Sequence, residues 1–204
     1  MQYKNHRNRS CSRALMLFSL IMYSLILASL PAVVQANTVS VHEDETTGLL
    51  TWTVDDEGFR IELIQLLPDF VRAIYAKHDF PPAEVERAAG YCVFGTILKN
   101  TSDGIMSYRV ADWRYRTADG EEYPVKTKTQ WLDEWNKAGI TFSWTLLPDQ
   151  GDFEVGDWQQ GFTTIKLPRE TEFDLIYRWQ LDGKPYEGVL ENLKCAPESI
   201  ELGE

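Results

Sequence analysis

The sequence predicts a mainly β fold, an antiparallel β-sandwich carrying short helical insertions. Three observations predict it. Short β-prone segments recur at regular spacing between Gly, Asn, Asp and Pro turn signals. Phe173, Leu175, Tyr177, Trp179 and Leu181 alternate with Asp174, Arg178 and Gln180, the period of a half-buried strand. Only two cysteines, Cys92 and Cys195, follow the N-terminal segment, and in an oxidising compartment two thiols most simply pair.

Residues 1–36 read as a secretory signal peptide. Lys4, Arg7, Arg9 and Arg13 precede an apolar run from Ala14 to Leu30, and Val34-Gln35-Ala36 gives a small-residue cleavage pattern. The alternative is an uncleaved anchor, but the run spans about 25 Å as a helix, short of the roughly 30 Å core of a bilayer. Four of the 20 basic residues and none of the 31 acidic ones lie in this segment, so the net charge moves from −11 to −15 after Ala36. A chain this acidic repels nucleic acid and anionic membranes. All seven Trp follow the segment, which argues against disorder. Together these features predict a periplasmic or secreted protein with no membrane span after cleavage.

Residues 37–47 are polar and predict a loose N-terminal segment, followed by a single domain over 48–197 and an acidic tail, 198–204. Leu49 to Val54 and Phe59 to Leu66 form a hairpin around Asp55-Asp56-Glu57-Gly58. Pro68 opens a helix with Phe70, Val71, Ile74, Tyr75 and His78 on one face. Phe80-Pro81-Pro82 breaks it, and Ala83 to Ala89 continues as a second helix ending at Gly90, so one insertion covers 68–90. Cys92 to Lys99 is the next strand, and Asn100 to Gly104 a turn. Ile105 to Arg116 reads as one long strand, turning through Ala118-Asp119-Gly120 into Glu121 to Val125.

Thr127 and Gln130 have the spacing of a capping box, so a second helical insertion spans 128–138. It puts Trp131, Leu132 and Trp135 on one side and closes at Gly139. Ile140 to Leu147 and Gly161 to Leu167 read as strands joined by 148–162. Asp182-Gly183 is a two-residue hairpin signal. Val189 to Cys195 is the return strand, and Pro185 places it near an edge. There is no internal repeat.

The order of turns from Cys92 to Cys195 carries a resemblance. Asn100-Thr101-Ser102 ends a strand, Ala118-Asp119-Gly120-Glu121 turns the next, and Phe153-Glu154-Val155-Gly156 and Gly161-Phe162 precede the hairpin that Phe173-Asp174-Leu175 begins. This pattern, over about half the chain, resembles the telokin-like, immunoglobulin-like sandwich domains of secreted bacterial proteins. The resemblance implies a binding or accessory role. The chain departs from true immunoglobulin domains in three ways. Trp113 comes late after the first cysteine, Leu193 stands where a corner Tyr would, and the helical segment 68–90 has no counterpart. Those departures imply a disulfide other than the standard one across the two sheets.

Three kinds of chemistry have candidate residues. Asp149, Asp152, Glu154 and Asp157 are the candidate oxygen ligands for calcium, but their spacing misses an EF-hand loop, and a solvated strand connection accounts for them more simply. Asp133 and Glu134 beside Trp131 and Trp135 imitate a carboxylate pair on a sugar platform. Copper needs clustered His and Met, whereas His42, His78 and Met106 are scattered. GxSxG, SxxK, HExxH and P-loop motifs are absent.

The remaining candidate is a partner surface on the aromatic helix faces, Phe70, Ile74, Tyr75, Trp131 and Trp135. The sequence therefore predicts a non-catalytic binding or accessory protein of the cell envelope, without a cofactor, whose partner is a protein or envelope component. Calcium or copper handling is the first alternative, a carboxylate-dependent hydrolase the second, and an inhibitor of a basic target the third. No oligomeric state is specified.

Overall fold

Alternation decides the layers. The computed structural model describes residues 39–200, so the expected signal peptide lies outside the described residues. One antiparallel sheet runs in the order β1 (Ser40–Glu43), β2 (Leu50–Asp56), β3 (Phe59–Leu66), β4 (Cys92–Asn100), β9 (Trp158–Ile165). The other is built on β10 (Glu172–Leu181). One edge of β10 takes β11 (Lys184–Lys194); the other takes β5 (Met106–Arg109) and β6 (Arg114–Thr117), which carry β8 (Gln150–Phe153) and β7 (Glu122–Pro124) outside them. Among the described residues the chain is thus mainly β, in two antiparallel sheets, with three helices: α1 (Pro68–Lys77), α2 (Pro82–Ala89) and α3 (Lys128–Lys137).

The inward residues of both sheets meet in one core. Trp52, Phe59, Phe94 and Leu98 come from the first sheet, and Tyr108, Tyr177, Trp179 and Leu190 from the second. The Phe59 ring crosses the gap to Trp179 at 5.4 Å and Tyr177 at 6.2 Å between centroids. Tyr177 donates its hydroxyl to the buried Asp56 carboxylate at 3.1 Å. Gly188, opposite Tyr177 in β11, leaves the room for that pair, since a Cβ there collides with both side chains. The β2–β3 and β10–β11 turns hold Glu57-Gly58 and Asp182-Gly183 at positive φ, the two-residue turn that matches strand twist.

Three expectations are corrected. Residues 37–47 are not wholly loose, because Ser40–Glu43 pairs with β2 along its exposed edge. Ile105 to Arg116 is not continuous. β5 and β6 lie end to end along one edge of β10, separated by a 3-10 turn at Val110–Asp112. Across that break Trp113 Nε1 donates to the Arg178 carbonyl at 3.1 Å, and Arg178 donates to the Asp112 carbonyl at 3.0 Å. These bonds satisfy backbone groups the ladder has left, as burial demands. Ile140 to Leu147 is no strand. It touches β9 through a single bridge, Leu146 to Phe162, and its aromatics pack on α1 instead. Packing outweighs β-propensity there. Cys92 opens β4 and Cys195 follows β11, so the bond joins the two sheets at one end, with Cα atoms 5.3 Å apart. The acidic tail also begins tethered, because Glu198 pairs with Arg72 at 2.9 Å and Arg169 at 3.0 Å; residues 201–204 lie outside the described residues.

A second core lies on the outer face of the first sheet. Val71 and Tyr75 of α1, Val85 of α2, and Trp131 and Trp135 of α3 close over Val93. The capping box of α3 forms: Gln130 N donates to Thr127 Oγ1 at 3.2 Å, and Thr127 N to Gln130 Oε1 at 2.9 Å. Among the described residues no helix is long and apolar enough to cross a membrane.

Candidate functional site

The helices cover only part of the outer face of the first sheet. Outward residues align in rows across β3, β4 and β9: Leu66, Val93 and Thr164; then Ile64, Gly95 and Phe162; then Glu62, Ile97 and Gln160; then Arg60, Lys99 and Trp158. The first row is roofed by the second core and the last is wet. Between them lies an open groove of about 380 Å³. Ile64, Ile97 and Phe162 form its floor and sides, α1 contributes Ile74 and Lys77, and His78 just after α1 and Trp144 complete the lining. Its size falls within the range of about 300–1,000 Å³ usual for small-ligand sites.

Aromatic contacts fix the Trp144 wall. His78 packs on Phe142 at 4.5 Å and edge-on to Trp144 at 5.0 Å, and Phe142 meets Trp144 at 5.0 Å. Behind it the Tyr75 hydroxyl and Thr145 Oγ1 share a buried hydrogen bond of 3.1 Å. Burial pushes the Tyr75 phenol up to about 12, against a small opposing effect of that bond. Trp144 itself remains 66% exposed. A large aromatic exposed beside an apolar hollow is the usual make-up of a binding surface.

Gly95 makes the hollow. Its φ is not in the left-handed region, and an added Cβ would meet Ile64 and Leu66 at ordinary distances of 3.7–3.9 Å. Neither backbone conformation nor crowding requires glycine at this point of a central strand. Such a glycine weakens the strand by roughly 0.5–1 kcal/mol relative to Ala and leaves space for something to approach the sheet.

The expected partner surface divides. Phe70, 50% exposed, and Ile74 lie on one face of α1, and Ile74 lines the groove. Tyr75, Trp131 and Trp135 are 0–2% exposed and belong to the second core, so they are withdrawn from the surface. Trp131 Nε1 donates to Thr164 at 2.9 Å, and Lys126 sits 3.6 Å over its ring. Ile64, Lys77, Gly95, Ile97, Trp144 and Phe162 were not anticipated as site residues.

The acidic stretch is put to structural use. Asp149 accepts from the Lys128 and Thr129 amides at 2.5 and 3.0 Å, filling the N-terminus of α3 from outside. Asp157 accepts from the Glu154 amide at 3.0 Å across the corner between β8 and β9. Asp152 points outward on β8 into a hollow of about 460 Å³ shared with Arg109 and Arg178. Those arginines are already paired with Asp112 at 2.9 Å and Glu187 at 2.5 Å. Among the described residues no three His, Cys, Asp or Glu side chains gather where they could hold a metal. Met106 is buried between the sheets, while His42 lies on exposed β1 and His78 at the end of α1. Glu134 is taken by Lys126 at 2.6 Å and by Arg87, so it forms no open pair with Asp133. No family model, curated protein or solved structure matches this chain.

Proposed function

We propose that this is a non-catalytic binding protein of the cell envelope, periplasmic or secreted, and that it binds at the groove between α1 and Trp144. One observation carries the reading: a preformed apolar hollow at the edge of the second core, with Trp144 exposed beside it. The buried Cys92–Cys195 bond supports an oxidising compartment. Two antiparallel layers joined by one disulfide support the immunoglobulin-like resemblance, with α1 and α2 as this chain's own addition. The metal and hydrolase alternatives have no comparably assembled site among the described residues.

The test is saturable binding of a neutral apolar fluorophore, N-phenyl-1-naphthylamine, to the folded mature chain. Fluorescence should saturate at one site, and Ile97→Asp should abolish the signal while the far-UV spectrum stays native. Equal enhancement by wild type and Ile97→Asp would refute the groove as the binding site.

A further inference from the structure

Resting on that reading, we infer that the groove takes a single-chain anionic amphiphile: an alkyl chain over Ile64, Gly95 and Ile97, with its carboxylate at Lys77. The lining segregates by chemistry. The sheet contributes the apolar floor, Ile64, Ile97 and Phe162, whereas the basic groups, Lys77 and His78, come together from the end of α1. An apolar body with one negative end fits that division.

Charge bookkeeping points to the same head group. The chain has 31 acidic and 20 basic residues. Around the helices, Arg72, Arg87, Lys126 and Arg169 each hold a carboxylate. Lys77, like Lys128 and Lys137 of α3, holds none among the described residues, and of these three Lys77 is the one that lines the groove. In an acidic protein, a basic side chain left unmatched beside an apolar hollow selects an anion.

The floor discriminates against a peptide. β3 and β4 are paired on both edges, and Phe162 of the edge strand β9 is already bonded to Thr145 and Leu147, so no strand can be added there. A peptide backbone laid across Ile64 and Ile97 would bury N–H and C=O groups facing few polar partners, chiefly Gln160 and Thr145. An alkyl chain carries no such groups. Gly95 gives it depth that an ordinary strand residue would fill.

The test uses decanoate and decyltrimethylammonium, both below their micelle concentrations, as displacers of bound N-phenyl-1-naphthylamine from the mature chain. Decanoate should displace at about fivefold lower concentration than the cation, the scale of one exposed ion pair. Lys77→Glu should reverse the order. Octanoate should bind more weakly than decanoate by about fourfold per methylene lost. Gly95→Val should fold with an unchanged or higher melting temperature and lose both amphiphiles, which a merely structural role for Gly95 does not predict. Equal displacement by anion and cation, unmoved by Lys77→Glu, would overturn the anionic-head inference and leave the binding reading standing. Failure of every alkyl probe to displace, or full binding by Gly95→Val, would overturn both.

Discussion

Asp149→Ala isolates a role that the acidic stretch hides. Asp149 is the sole side chain on two helix-start amides, Lys128 at 2.5 Å and Thr129 at 3.0 Å, while the third, Gln130, keeps its bond to Thr127. Hydrogen bonds to a charged group contribute about 1.5–3 kcal/mol each when well buried. Thr129 is exposed and water can replace its partner, so the pair together is worth about 2 kcal/mol. For a domain of this length that corresponds to a fall of about 4–8 °C in melting temperature. Asp149→Asn retains one uncharged acceptor and should lose about half as much. A second readout is spectroscopic. Burial, and after it the Asp149 charge, hold the Tyr108 phenol far above its ordinary range, so either variant should lower the Tyr108 transition. Calcium should leave the wild-type melt unchanged, since Asp149 is committed to the helix. A melt of Asp149→Ala within about 1 °C of wild type, or an Asn variant as damaged as Ala, would refute the capping argument.

Two further predictions rest on other parts of the fold. The Cys92–Cys195 bond spans a sequence separation of 103 residues, so the double Ala variant should lose up to about 4.7 kcal/mol and melt about 10–20 °C lower; a fall of only about 2 °C would show that the bond constrains little. Tyr75 is kept neutral by burial, its phenol raised from 10.0 to about 12. The unfolded chain ionises it first, so its contribution is intact below about pH 10 and is lost as pH rises towards about 12. Urea melts of wild type at about pH 9 and about pH 11 should therefore show a loss of about 1 kcal/mol from this group, half of what is lost once the pH passes about 12, and Tyr75→Phe should flatten that slope; an unchanged slope would sink the argument.

The parts of the fold legible in the sequence are those that local physics settles. The period of two from Phe173 to Leu181 is read correctly because each inward residue meets the core directly. The Asp182-Gly183 turn and the Thr127–Gln130 box work over three or four residues, so nothing distant can overrule them. The errors are non-local. Ile140 to Leu147 has strand-like residues but only one bridge to a partner, so its aromatics settle against α1. The break at Val110–Asp112 depends on Trp113 and Arg178 finding one another across 65 residues.

The helix faces misled for a related reason. A stripe of aromatics says that a helix is covered but not by what, and Tyr75, Trp131 and Trp135 turned out to cover one another. The groove does leave a signal in the strands. Outward positions of β3 read Arg60, Glu62, Ile64, Leu66; those of β4 read Lys99, Ile97, Gly95, Val93; those of β9 read Trp158, Gln160, Phe162, Thr164. In β3 and β4 the charged residues stand at one end and apolar ones at the other. A sheet face bare throughout would carry polar outward residues along its whole length, and one roofed throughout would carry apolar ones. A change of character within each strand therefore marks the boundary of a roof. At such a boundary, covered and wet surface meet, and a side chain normally fills the step. In β4 the residue at the step is Gly95, so the edge of the roof becomes a hollow with Ile64 on one side and Phe162 on the other. The position of the groove follows from that one missing side chain, which is why Gly95→Val separates the proposed binding role from a structural one more cleanly than any change to the aromatic wall.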